Sequence, residues 1–172
     1  EEKEKLIAEF EARGFEFKGL IPQNDFYIEA KKSPHGGYDL KRYRNENGKY
    51  IYTEKIWEVE GDVKARKENE YEVPKEKFDS ELLQFPDALK IIKDREWYHG
   101  TFHNRKVSLT IDSVKFDHSP DMRYFLEAEI DVEDKSEVGD TKELVSNFLK
   151  DLLHKSELIE APGMFAMAFD KK

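Results

Sequence analysis

The stretch "YFLEAEID", residues 124–131, constrains the fold more than any other part of the chain. In an extended segment side chains alternate between two faces, so Leu126, Ala128 and Ile130 point one way and Glu127, Glu129 and Asp131 the other. The same alternation returns along the chain. Asp25, Tyr27 and Glu29 alternate with Phe26, Ile28 and Ala30; Arg42 and Arg44 flank Tyr43; Thr53 and Lys55 share a face of "YIYTEK". Lys64, Arg66, Glu68, Glu70 and Glu72 fall on one side of a strand, Lys93 and Arg95 follow Ile91, and Ser108, Thr110 and Asp112 alternate with Val107, Leu109 and Ile111. Each of these segments has a polar, mostly charged face and an apolar one.

Turn signals separate them. "NENG" at 45–48 predicts a hairpin, because Asn and Gly tolerate positive φ, and "HN" at 103–104 marks another turn. "SPHGG", "EGD" and "DHSPD" read as loops or turns. Strands are expected at about 15–21, 24–30, 38–44, 49–57, 63–73, 88–99, 105–115 and 124–131. Three segments have helical periodicity instead. Residues 1–13 place Leu6, Ile7 and Phe10 on one face and end at Gly14. Pro74 opens a short helix through Leu83 with Phe78, Leu82 and Leu83 as its stripe, and Thr141 is the expected cap of a helix carrying Leu144, Val145, Phe148, Leu149 and Leu152. The tail "MFAMAFD" is apolar enough to pack as a last strand or short helix.

Composition narrows the function classes. Charged residues make up 39 % of the 172 residues, but aromatics at 13 % argue for a packed domain rather than a disordered chain. A net charge of -9 disfavours generic binding to nucleic acid or to an anionic membrane. No apolar run approaches the ~20 residues that span a bilayer. There is no cysteine, hence no disulfide framework or thiolate metal site, and His35, His99, His103, His118 and His154 lack ligand spacing. A soluble, cytoplasmic protein is the expectation.

Helices with apolar stripes need the apolar strand faces as partners, which leaves the charged faces turned toward one another or toward solvent. A closed antiparallel barrel with a charged lumen satisfies both demands and removes sheet edges. The signs are grouped: Arg42, Arg44, Lys55 and Arg66 come from the second quarter of the chain, Asp112, Glu127 and Glu129 from the last third. Basic side chains in such a lumen suit a polyanion, and carboxylates suit a hard cation such as Mg²⁺ bridging to its phosphates. The combination suggests metal-assisted phosphate chemistry.

The ordered motifs "DFYIE" (25–29), "LKRYRNENG" (40–48), "TEK" (53–55), "RKENE" (66–70), "KDR" (93–95), "LTID" (109–112) and "FLEAE" (125–129) resemble the CYTH family, the triphosphate tunnel metalloenzymes. The resemblance implies an α+β fold: an eight-stranded antiparallel β-barrel, or tunnel, with helices packed on the outside. It implies that Arg42, Arg44, Lys55, Arg66, Lys93 and Arg95 grip phosphates. Glu127 and Glu129 would bind Mg²⁺ or Mn²⁺, with Asp112 and Glu68 binding metal or orienting the basic groups; Glu127, Glu129, Lys55 and Arg95 are the catalytic candidates. Dimers are common in the family, so a homodimer belongs among the expectations, although nothing in the sequence marks an interface.

One departure stands out. The family's E-x-E-x-K motif on the first strand is not found: in "EEKEKL" Glu2 and Glu4 are followed by Leu6 rather than lysine. The expectation is a single domain over 1–172 with its first strand missing, upstream of Glu1. "APGMF" also stands where relatives often carry a Ser-Tyr pair. Metal-dependent hydrolysis of inorganic triphosphate, a nucleoside triphosphate or thiamine triphosphate is the leading reading. An adenylate cyclase making cyclic AMP, or a non-catalytic module that binds polyphosphate or organic phosphate, is the alternative.

Overall fold

Alternation becomes strand pairing in a computed structural model of the chain, which describes residues 2–60, 63–116, 121–132, 135–154 and 164. The order is α1 (Glu2–Ala12), β1 (Glu16–Lys32), β2 (Tyr38–Glu46), β3 (Lys49–Glu60), β4 (Val63–Glu72), α2 (Lys75–Gln84), β5 (Leu89–Phe102), β6 (Arg105–Phe116), β7 (Met122–Glu129) and α3 (Val138–Leu152). The strands make an antiparallel sheet in the order β4-β3-β2-β1-β5-β6-β7, so the class is α+β. Among the described residues the sheet has 7 strands rather than eight, and it is not closed: β4 and β7 stand at opposite ends of the order without pairing. The tail "MFAMAFD" lies, apart from Met164, outside the described residues.

The strands expected at 15–21 and 24–30 are one strand of 17 residues. Pro22, Gln23 and Asn24 have turn composition, but Gln23 and Asn24 pair with Glu46 and Asn45 of β2, and this pairing keeps them extended. The turns behave as their residues dictate. Asn47 and Gly48 have φ of 48° and 87°, and His103 and Asn104 have 48° and 62°, the left-handed pairs that close two-residue hairpins.

The chain divides into two compact units. The first is built from the described residues of 1–20, 95–112 and 124–161. Here Phe10 of α1 and Phe148 and Leu152 of α3 bury against Tyr98, Val107, Leu109 and Ile111, and Leu126, Ala128 and Ile130 pack onto the same cluster. The apolar half of "YFLEAEID" is therefore its core side. α1 ends as its Gly14 demands, with φ of 79°. Gly14 N–H donates to Glu11 at 3.0 Å and Phe15 N–H to Phe10 at 2.9 Å, the double bond of a Schellman stop, while the rings of Phe10 and Phe15 meet at 6.2 Å. α3 starts earlier than expected, after a 3-10 turn at Lys135–Glu137 with Glu137 as N-cap. Thr141 lies a turn inside and does not cap it, because Gly139 and Asp140 are tolerated in a first turn, where amides lack partners and an acid suits the dipole.

The second unit is built from the described residues of 21–94, 113–123 and 162–172. α2 begins after Pro74 and lays Phe78 against Phe26, Tyr43 and Tyr50, with ring centroids 5.8, 5.9 and 4.7 Å away. That covers one face of β1–β3 with aromatic rings and leaves Asp25, Arg42 and Arg44 on the other.

Candidate active site

In the second unit, strand register assembles the basic residues. Arg44 lies opposite Asp25, and Arg42 opposite both Tyr27 and Thr53, with Glu70 opposite Thr53. Arg44 donates to Asp25 through Nε at 2.6 Å and Nη2 at 2.9 Å, a two-pronged fork. Arg42 Nη1 reaches Asp25 at 3.4 Å and its Nη2 donates to Thr53 at 2.9 Å, while Lys93 Nζ stands 3.8 Å from Asp25. Asp25 is only 1 % exposed, and Arg42, Arg44 and Lys93 are 5–7 % exposed. Burial works to raise the Asp25 pKa, but the charge of Arg42, the fork from Arg44 and the charge of Lys93 outweigh it and hold the carboxyl well below the usual range.

Around this centre the contacts loosen. Glu70 accepts from the Thr53 hydroxyl at 2.9 Å and lies 3.5 Å from Arg42; Glu46 lies 3.7 Å from Arg44 and accepts from Gln23 at 2.5 Å. Lys55 pairs with Glu68 at 2.8 Å. Arg66 sits on β4 opposite Trp57, and its side chain lies outside the description. A β-bulge between Tyr27 and Glu29 corrects the expected alternation. It moves Glu29 off the Asp25 face to stand opposite Lys41, whose Nζ it binds at 2.6 Å.

In the first unit Arg95 organises the remaining candidates. Its Nε donates to Asp112 at 2.6 Å and its Nη2 to the other Asp112 oxygen at 2.5 Å, and Nη2 also donates to Glu127 at 2.7 Å. Burial opposes the arginine's charge, yet the hydrogen bonds it donates to Asp112 and the charge of Glu127 prevail and raise its pKa above the ordinary value. The guanidinium carbon lies 5.4 Å from the centre of the Trp97 ring. Glu129 follows two residues after Glu127 and is exposed.

The donor chemistry fits a hard divalent cation, since Glu127 and Glu129 offer carboxylate oxygens and no sulfur. Asp112 has both oxygens engaged by Arg95. Among the described residues no three of His, Cys, Asp and Glu converge.

Comparison with known proteins identifies the family. A CYTH domain model matches residues 1–161. The chain belongs to the CYTH family. CYTH proteins are triphosphatases and adenylate cyclases, and the family is metal-dependent in general. No curated protein matches. Among solved structures, a protein of Pyrococcus horikoshii OT3 is 21 % identical with a TM-score of 0.68, covering 98 % of this chain and 94 % of that one. A conserved hypothetical protein of Pyrococcus furiosus is 20 % identical with a TM-score of 0.68, covering 96 % and 93 %. A Hippeastrum protein, described as a candidate adenylyl cyclase that reveals a dominant triphosphatase activity, is 15 % identical with a TM-score of 0.59, covering 98 % and 90 %. These structures share the fold of the chain.

The sequence places Asp25 and Thr53 on charged faces without marking a role for either, and Glu70 stands in it only as one of a row. The signal for Asp25 was its place two residues before Tyr27 on the polar face of β1. What it lacked was the β1–β2 register, which the "SPHGG" connection does not dictate. Among the described residues no helix is long and apolar enough to cross a membrane.

Proposed function

We propose that this chain hydrolyses a triphosphate compound with the help of Mg²⁺ or Mn²⁺. The observation that carries the reading is the arrangement around Asp25, where three buried cations share one fully buried carboxylate. Arg42 also donates to the neutral Thr53 hydroxyl at 2.9 Å, and the further carboxylates near Arg42 and Arg44, Glu70 and Glu46, lie at 3.5 and 3.7 Å. A polyanion is the kind of ligand that such a cluster of basic side chains suits. Arg42, Arg44, Lys55, Arg66, Lys93 and Arg95 are the proposed phosphate ligands. Asp25 and Asp112 hold arginine planes in fixed orientations, and Glu68 does the same for the Lys55 ammonium.

Glu127 and Glu129 are the proposed carboxylates for the cation. When bound, the cation supplies charge neutralisation on the phosphates and orientation of the attacking water. The arginines stabilise the charge that develops on the transferring group from positions fixed beforehand. The family's eight-stranded tunnel is part of this proposal, as are a small-molecule triphosphate partner and a cytoplasmic site of action.

A second reading, an adenylate cyclase, draws support from the Hippeastrum protein and from a Bacillus halodurans structure described as a candidate adenylate cyclase, which has a TM-score of 0.56 and 10 % identity. One assay separates them. Phosphate release is measured from inorganic triphosphate, ATP and thiamine triphosphate with Mg²⁺, Mn²⁺ or EDTA, and the ATP reactions are analysed for cyclic AMP. Metal-dependent phosphate release is the expected result. Cyclic AMP with pyrophosphate would establish the cyclase instead, and binding without turnover would leave a phosphate-binding module.

A further inference from the structure

Arg95 is held by two carboxylates of unequal freedom. Asp112 is 0 % exposed and is bound through both of its oxygens. Glu127 accepts from the same Nη2 at 2.7 Å, but its side chain is 40 % exposed. The fork to Asp112 is locked in place by burial, so the bond to Glu127 is the exchangeable one. The charge balance points the same way: one guanidinium faces two carboxylates, and Glu129 adds a further negative influence. A phosphate approaching Arg95 in this state competes with a carboxylate already bound to its Nη2. A carboxylate that passes to a divalent cation loses that effect, because the ion becomes the dominant local charge.

We propose that Glu127 is an exchangeable internal anion, which occupies Arg95 in the cation-free protein and gives it up to phosphate on taking a divalent cation. The proposal rests on the reading of this cluster as part of a cation-assisted triphosphate site. It makes cation and triphosphate reinforce each other's binding by the same factor, as linkage requires. It also assigns that coupling to Glu127 above Glu129, although both carry the same charge on one face of β7.

The position of Arg95 over Trp97 supplies a readout independent of turnover. The chain has 2 tryptophans, so a Trp57→Phe background leaves Trp97 as sole reporter. In that background inorganic triphosphate is titrated without metal into the parent, Glu127→Gln and Glu129→Gln proteins, and Mg²⁺ alone is titrated into each. Glu127→Gln is expected to tighten metal-free triphosphate binding about tenfold, the scale of one charge-assisted contact, and Glu129→Gln by about threefold or less. Mg²⁺ alone should change Trp97 emission in the parent and leave it unchanged in Glu127→Gln. Equal tightening by the two variants, no tightening in Glu127→Gln, or an Mg²⁺ response that survives in it overturns the proposal. In each of those cases triphosphate binding by the parent leaves the functional reading standing. Absence of triphosphate binding by every form, with or without Mg²⁺, overturns both.

Discussion

Arg44 grips Asp25 through Nε and Nη2, at 2.6 and 2.9 Å, across a register that sets the two residues directly opposite each other. Arg42 and Lys93 also face this carboxylate, so removing it leaves three buried cations without their common partner. Asp25→Asn is therefore expected to destabilise the protein by about 3–5 kcal/mol near neutral pH, the range for breaking a buried ion pair. Because the folded-state pKa of Asp25 is depressed, its contribution is fully present above the unfolded value of about 3.9 and disappears as pH falls toward the folded value. Urea unfolding of the two proteins from pH 6 to pH 2.5 checks both points. The gap between them should be constant at the upper end and narrow below about pH 4. A gap independent of pH would mean that the carboxylate's charge is not what stabilises the cluster.

Glu29 tests the bulge. Strict alternation places it beside Asp25 and Tyr27, but the extra residue turns it toward Lys41 on the other face. That contact is exposed, and such pairs contribute about 0–1 kcal/mol. Glu29→Ala is expected to leave triphosphate affinity within about twofold of the parent, which corresponds to roughly 0.4 kcal/mol. Calorimetric titration with inorganic triphosphate and Mg²⁺ decides it, and a change of an order of magnitude would return Glu29 to the phosphate face.

The bulge also shows what the sequence could and could not reveal. Period-two alternation correctly separated Leu126, Ala128 and Ile130 from Glu127 and Glu129, because one face of β7 is buried and burial specifies register. The Asn47-Gly48 and His103-Asn104 turns were legible because few residues accept positive φ. A bulge has no such signature: "DFYIEA" alternates in letters whether or not the backbone does. The grouping of charge by sign was legible too, yet it suggested separate basic and acidic sets. Pairing depends on neighbours in space, and register inserted Asp25, Glu68 and Glu70 among the cations. Thr141 misled for a related reason, since a good capping residue can lie inside a helix when the preceding turn is itself helical.

Phe78 tests how far the second unit depends on its aromatic face. It is 5 % exposed and touches the rings of Phe26, Tyr43 and Tyr50. Phe78→Ala should cost about 3–5 kcal/mol through lost burial and the cavity left behind. Exposed Leu83, which sequence periodicity placed on the same stripe, is 83 % exposed, and Leu83→Ala should cost no more than about 0.5 kcal/mol. Comparable losses in the two variants, measured by urea unfolding, would contradict the packing of α2.

The charged clusters make a thermal prediction about ligands. Cations held close to one another in the ligand-free protein repel, and so do Glu127 and Glu129, so a triphosphate and a cation each relieve one repulsion while each alone leaves the other in place. Together they should stabilise by more than the sum of their separate effects. At ligand concentrations near 100 times the dissociation constant, stabilisation is about 2.7 kcal/mol, or roughly 5–10 °C in Tm for a chain of this size. Differential scanning fluorimetry with inorganic triphosphate, Mg²⁺, both and neither reads this directly. Glu127→Ala should remove the extra shift while lowering the ligand-free Tm by no more than roughly 2–4 °C, because the lost contact involves a side chain that is 40 % exposed. A combined shift no larger than the sum of the two separate ones would show that cation and triphosphate do not depend on each other, and the carboxylates of β7 would then have no part in holding the substrate.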